Sequence, residues 1–203
     1  MALNVKDMVD TRATVNLAPG TYQGRVVGIA ELGLQETTYK GEHKKQKQLA
    51  ILFNVYGNSD AEPVVLGKTY TMSMRENANL RKTITAIRGK DFTNEELKDW
   101  DLRRLLDAPC LVTVGRYEKN GLKNATINQV SMPIKGNQTP EATEEKICFD
   151  MDDTSTWKSF ALMPKWLQIK INNSITFKHK GIYLDETGEA YPAGDDYDDE
   201  EAT

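Results

Sequence analysis

The sequence has few of the residues from which metal sites and catalytic centres are built. Among its 203 residues are two cysteines and two histidines. Cys110 and Cys148 are isolated, so neither a disulfide framework nor a zinc site is indicated. His43 and His179 lie among lysines with no nucleophile beside them, and Gly-rich phosphate-binding loops and nucleophile-elbow motifs are absent. We therefore expect no catalytic residue, no metal and no cofactor.

Long apolar runs are also missing. The longest covers residues 49–53, far too short to span a membrane. Residues 1–12 lack the basic-then-apolar layout of a secretory signal. Two free thiols suit a reducing compartment. These features predict a cytoplasmic protein with no membrane partner, long enough for one core and an appended segment.

Charge is distributed unevenly along the chain. The formal net charge is -4, but residues 195–203 carry six carboxylates and no basic side chain, so residues 1–194 carry +2. Like charges in a run repel each other and cannot bury a core. Such an arm can bind basic partners or compete with another polyanion for the protein's own basic surface. The simpler alternative is that it only increases solubility.

Five segments have the composition of β-strands. The first is interrupted by glycines, which indicate curvature or bulges. The second alternates apolar with mixed residues, as in a strand with one exposed face. The last two are joined through Asn120-Gly121, a strong hairpin signal. The predicted strands cover residues 21–34, 48–56, 64–74, 110–117 and 123–132, with a polar loop at 35–47.

Helical spacing separates the third strand from the fourth. Leu80, Ile84 and Ile87 share one helix face that ends at Gly89, and a second helical stretch follows at 95–106. A cap at Thr93 or Asn94 is predicted for this second stretch. Three strands, a helical insertion and two more strands, with a glycine-broken first strand, predict a mainly β protein with the five-stranded Greek-key barrel called the OB-fold.

Composition divides the chain into five parts. Apolar residues at helical spacing, including Trp157 and Trp166, follow a polar linker and predict short helices that pack on the barrel. The predicted parts are a flexible leader (1–18), the OB-fold core (19–133), a linker (134–153), a helical appendage (154–194) and a disordered acidic tail (195–203).

Basic and aromatic residues cluster in the loops that would flank the barrel. In OB-folds the loop between strands one and two and the loop between strands four and five are the walls of a ligand groove. We expect the outer sheet face between these loops to complete the binding surface. Lysines contact phosphates, and aromatic faces stack on bases. Tyr70 could face either the core or the ligand. If Tyr70 is buried, Arg75 lies on the opposite face of the strand and points toward the ligand. The candidate nucleic-acid-binding residues are Tyr39, Lys40, Lys44, Lys45, Lys47, Tyr56, Tyr70, Arg75, Arg116, Tyr117, Lys119 and Lys123.

Several segments together carry a family resemblance. They are PGTYQG at 19–24, KQLAILFNV at 47–55, LLDAPCLVTV at 105–114 and LMPKWL at 162–167. Their combination resembles the small phage-encoded single-stranded-DNA-binding proteins built on one OB-fold, over roughly residues 17–175.

The resemblance implies a function and partners. It implies sequence-tolerant binding and protection of single-stranded DNA during phage DNA replication and recombination in the host cytoplasm. Many members end in Pro-Phe or Phe, whereas this chain ends in Glu-Glu-Ala-Thr. The acidic tail would recruit replication and recombination proteins through Asp195, Asp196, Tyr197, Asp198, Asp199, Glu200 and Glu201.

Two other hypotheses remain at this point. The protein could be an OB-fold adaptor that contacts replication enzymes without binding DNA. It could also be a metal-dependent nuclease that uses Asp150, Asp152 and Asp153, although capping of a helix or turn explains these carboxylates more simply. The sequence leaves the oligomeric state open.

Overall fold

The computed structural model describes residues 17–39, 41–57, 62–119, 122–136 and 138–193. The protein is mainly β. Five antiparallel strands lie in the order β3-β2-β1-β4-β5, a sixth pairs in parallel with β1, and two more form a separate small sheet. The strands are β1 (Gly20–Tyr39), β2 (Glu42–Tyr56), β3 (Val64–Thr71), β4 (Pro109–Lys119), β5 (Leu122–Ser131), β6 (Ile147–Phe149), β7 (Ile182–Leu184) and β8 (Ala190–Pro192). The α-helices are α1 (Asn79–Arg88), α2 (Glu96–Asp99), α3 (Lys165–Asn172) and α4 (Ile175–Lys180).

β1 bends at its glycines, as predicted. Its register with β2 shifts just before Gly28 and again just before Gly33. A Cβ on Gly28 would lie 2.9 Å from Ile147 Cβ, so only glycine permits this approach of β6. β4 pairs with residues 20–25 of β1, and β6 pairs with residues 28–30. At the first bulge, the strand that pairs with β1 therefore changes from β4 to β6.

β1 and β2 extend past the other strands as a two-stranded ribbon. Residues 35–47, predicted to be a loop, are strand up to Tyr39 and again from Glu42. Glu36 lies opposite Lys45 in the register, and such opposite charges stabilise a strand pair. The loop prediction was wrong because a polar composition does not prevent pairing when the facing strand supplies complementary side chains.

Two hydrophobic cores lie on opposite faces of β1 and β2. The first includes Phe53 on the inner face and Ile84 of α1. The second includes Leu52 on the outer face and Phe177 of α4. Residues 48–55 of β2 are therefore buried on both faces. The predicted exposed face was wrong because small and apolar side chains at the outer positions accept a covering layer.

The helical insertion after β3 follows the sequence signals in part. α1 ends at Gly89, which adopts a left-handed conformation with φ of 73°. Thr93 and Glu96 exchange side-chain hydrogen bonds with each other's backbone N–H, so the predicted cap at Thr93 is confirmed as a capping box. The predicted helix 95–106 is interrupted, because the chain becomes extended at Trp100 before a turn of 3-10 helix.

The C-terminal segments form the layer that covers the outer face of β1 and β2. β6 lies within residues 134–153, which were predicted to be a linker. A 3-10 segment (Thr154–Leu162), α3 and α4 then supply the second core. Trp166 packs on β3 at Gly67, where a Cβ would lie 2.8 Å from the indole Cζ2. Among the described residues, no helix is long and apolar enough to cross a membrane.

β3 and β5 come together without a strand ladder between them in the described part of the chain. The Lys68 amino group of β3 instead donates hydrogen bonds to the carbonyl oxygens of Ile127 at 3.0 Å and Asn128 at 3.2 Å. The sheet is therefore open as a backbone ladder, and a lysine side chain bridges its two edges.

Candidate nucleic-acid interface

A groove of about 500 Å³ lies beside β3, the edge strand next to β2. It runs from the outer face of β2, past the end of β3, to the start of α1. Most of its lining side chains are neutral and can form hydrogen bonds. The lining residues are Gln46, Gln48, Lys68, Thr69, Tyr70, Thr71, Ser73, Arg75, Asn77, Ala78 and Asn79.

The alternation of β3 builds one wall of this groove. Tyr70 points into the first core, with 3% of its surface exposed, so Thr69 and Thr71 point outward. The Thr71 hydroxyl lies 3.1 Å from Gln46 Oε1 and links β3 to β2 across the groove. A tight turn at Ser73 then brings Arg75, which is exposed, to the other end of the wall.

The charge of the groove is positive. Lys68 and Arg75 are among the lining residues, and no carboxylate is found among those that the structure describes. Burial lowers the pKa of Lys68, while its ammonium is held by two carbonyl oxygens of β5. An ammonium has three N–H donors, so one remains for a ligand such as a phosphate oxygen.

The lysines of the β1–β2 ribbon are placed differently from the sequence prediction. Because they lie on a strand, alternation puts Lys44 on one face of the ribbon and Lys45 and Lys47 on the other. Lys44 forms an ion pair of 2.9 Å with Glu42. Lys45 lies opposite Glu36 in the register. Burial raises the pKa of Glu31, and Lys47 is close enough to oppose part of that rise. The structure therefore divides these cations and provides each of them with an acidic neighbour.

The second predicted wall, the β4–β5 hairpin, lies at the other end of β1. β4 pairs with the first residues of β1 and continues beyond Gly20, whereas the ribbon extends from the far end. Arg116 and Tyr117 are both exposed, Tyr117 by 45%. Lys119 and Lys123 lie in β4 and β5.

The outer sheet face between the two hairpins, predicted to be the binding surface, is partly covered. The outward side chains of Ala50 and Leu52 on β2 are buried under the C-terminal layer. This part of the prediction was wrong, because the appendage packs where the ligand was expected. What stays accessible is the outer side of β3, where Val65 is 41% exposed and Thr69 and Thr71 are exposed.

The remaining predicted residues have mixed outcomes. Tyr70 is a core residue, so its ring offers no exposed face for stacking. The same burial raises the pKa of its hydroxyl to about 12. Tyr56 is half-buried at the end of β2. The side chains of Tyr39, Lys119 and Lys123, together with Lys40 and the tail residues 195–203, lie outside the described part of the chain.

The three aspartates considered for a nuclease have structural hydrogen bonds. Asp150 Oδ1 accepts from the N–H of Asp152, and Asp152 forms an ion pair of 2.9 Å with Lys180. Asp153 accepts from the N–H of Ser155 and caps the 3-10 segment. The capping interpretation is confirmed for Asp153. Local turns explain the positions of the Asp150 and Asp153 carboxylates, and the ion pair with Lys180 explains that of Asp152.

Most residues of the groove were not among the predicted binding residues. Tyr70 is buried and Arg75 lines the groove, but the contact of Arg75 with a ligand stays a prediction. Gln46, Gln48, Lys68 and Asn77 also line the groove and were not predicted. The available signal was the outward position of polar residues on the second and third strands. Glutamine and threonine carry no charge, so they did not stand out from an ordinary exposed face.

No protein-family model matches the chain, and no curated protein matches it either.

Proposed function

We propose that this protein binds single-stranded DNA, without catalysis and with little sequence preference, in the groove beside β3. The sheet order and the bent first strand support a partly open OB-fold, in which β3 and β5 face each other across the seam that Lys68 bridges. In that fold the outer side of β2 and β3 is a frequent site for oligonucleotides.

The observation that carries the proposal is the composition of the groove. Two cations without a carboxylate among the described lining residues provide an electrostatic site for phosphates. Seven neutral side chains of Gln, Asn, Ser and Thr provide hydrogen-bond partners for sugars and base edges. The ribbon is a weaker candidate, since its lysines already have acidic neighbours.

The wider role follows from the resemblance described above. Protection of single strands during phage DNA replication and recombination is proposed on that basis, as is recruitment of partner proteins by the acidic residues 195–203. Exposed Tyr117 of β4 is a candidate stacking platform at the far end of the strands.

Titration of a labelled oligonucleotide, single-stranded and then in a duplex, at several salt concentrations tests the proposal. Each phosphate contact contributes about -0.7 to the log–log salt slope for single strands. We expect a slope of about -1.4 if only Lys68 and Arg75 engage, and about -4 if four cations of the hairpins engage as well. Duplex should bind more weakly. Absence of salt-sensitive affinity would refute DNA binding and favour the adaptor hypothesis.

A further inference from the structure

One glutamine in the groove differs from the other buried glutamines of the described chain. Gln35, Gln48 and Gln168 are each less than 9% exposed. The amide groups of Gln35 and Gln168 each donate to two backbone carbonyl oxygens, which explains why they are buried. Gln48 Oε1 is buried without a hydrogen-bond partner among the described residues. Buried polar atoms are normally paired. Gln48 Oε1 is one of the few exceptions among the described residues, and the others include the hydroxyl groups of Tyr56 and Tyr70.

The position of Gln48 connects this exception to the groove. The side chain lies on the outer face of β2 and lines the groove. Gln46, two residues away on the same face, is engaged by Thr71 and by Thr37. The last torsion of a glutamine side chain is broad, so the carboxamide of Gln48 can turn toward a ligand at small cost. A volume of about 500 Å³ is in the range of sites for nucleotide-sized ligands.

The chemistry of a carboxamide indicates which part of a nucleotide it can bind. A carboxamide presents an N–H donor beside a C=O acceptor. The Watson–Crick edge of each of the four bases also presents a donor beside an acceptor, and a protein can reach that edge only when the base is unpaired. We propose that Gln48 forms a paired hydrogen bond with the Watson–Crick edge of one unpaired base.

This inference rests on the proposed function and extends it. It gives a reason for sequence tolerance, because all four bases satisfy the same carboxamide. It also gives a reason for rejection of duplex, because base pairing occupies the edge that Gln48 requires. Lys68 and Arg75 would hold the phosphates of the same strand at the wall of the groove.

The test compares an oligothymidylate with the same oligomer made of N3-methylthymidine. The methyl group removes the N–H donor of the Watson–Crick edge and leaves the phosphates and the stacking face in place. The unmodified protein should bind the unmethylated oligomer about three- to tenfold more tightly, which is the range for one neutral hydrogen bond. Gln48→Met, of similar length and without the amide, should bind both oligomers equally.

Gln35→Met is the matched control, since it removes a buried glutamine whose amide bonds to backbone outside the groove. It should keep the preference for the unmethylated oligomer. Equal, salt-sensitive binding of both oligomers by the unmodified protein would overturn the inference and leave the proposed function intact. So would a preference that survives in Gln48→Met. Binding of neither oligomer would overturn both. The unmodified protein alone decides the first and the last of these outcomes, even if a variant does not fold.

Discussion

The outer faces of β2 and β3 are neighbours in one sheet, yet they have different environments. The outward side chains of Ala50 and Leu52 on β2 are buried beneath the C-terminal layer, whereas Thr69 and Thr71 of β3 are exposed. The boundary lies at Gly67, on which Trp166 packs. The same fold thus uses one strand face for stability and the next for a polar groove, and the extent of the covering layer determines where a ligand can bind.

The largest effect is predicted for a substitution that disrupts the C-terminal layer. Phe177 is fully buried in the second core, 5.6 Å from the ring of Trp157. Phe177→Ala should lower the free energy of unfolding by about 3–5 kcal/mol, because it removes a large side chain and leaves a cavity. Urea unfolding followed by tryptophan fluorescence measures this.

The matched control is Ile169→Ala on the exposed side of α3, where the side chain is 52% exposed. This change should alter the free energy of unfolding by less than about 0.5 kcal/mol. Similar small values for both variants would show that the C-terminal layer does not contribute to cooperative folding.

A smaller effect is expected at the boundary between the two faces. A Cβ at Gly67 would lie 2.8 Å from Trp166 Cζ2 and 2.9 Å from Leu52 Cδ2. Gly67→Ala should therefore destabilise the fold by about 1–3 kcal/mol through overpacking. Pairing Gly67→Ala with Trp166→Ala should recover part of this loss in thermal denaturation. If the effects of the two substitutions on stability simply add, the indole of Trp166 does not pack on Gly67.

The smallest effect separates the groove from the ribbon. Arg75→Ala should reduce the magnitude of the salt slope by about 0.7, because one phosphate contact is lost. Lys44→Ala should change the slope less, since Lys44 is already paired with Glu42. Fluorescence anisotropy of a labelled single strand at four or five salt concentrations gives both slopes. A larger change in the salt slope for Lys44→Ala than for Arg75→Ala would show that DNA binds to the ribbon and not to the groove.

Several of the strands and the first helix were predictable from the sequence. Alternation marked β2, Asn120-Gly121 marked the β4–β5 hairpin, and Leu80, Ile84 and Ile87 marked α1. These signals are local, since each depends on residues close together in the chain. β6 was missed because three residues within a polar segment give too short a pattern to distinguish from a linker.

The candidate site was less predictable for a physical reason. Whether an outer strand face is open depends on which distant segment covers it, and no local pattern encodes that contact. Ala50 and Leu52 at outward positions of β2, together with Gly67 of β3, were the available signs of a covering helix. Thr69 and Thr71, on the same face of β3 as Gly67, marked the part of that face that stays open, but only when the covering layer is known.

Placing a negative charge on each outer face tests the central claim most directly. Thr69→Glu puts a carboxylate in the groove, and Ile169→Glu puts one on the exposed side of the helix that covers β2. A like charge close to a phosphate costs on the order of 1–4 kcal/mol near a protein surface. At low salt, Thr69→Glu should therefore weaken single-stranded-DNA binding by about tenfold or more, with binding by Ile169→Glu nearly unchanged. Equal losses, or a larger loss for Ile169→Glu, would contradict binding in the groove beside β3.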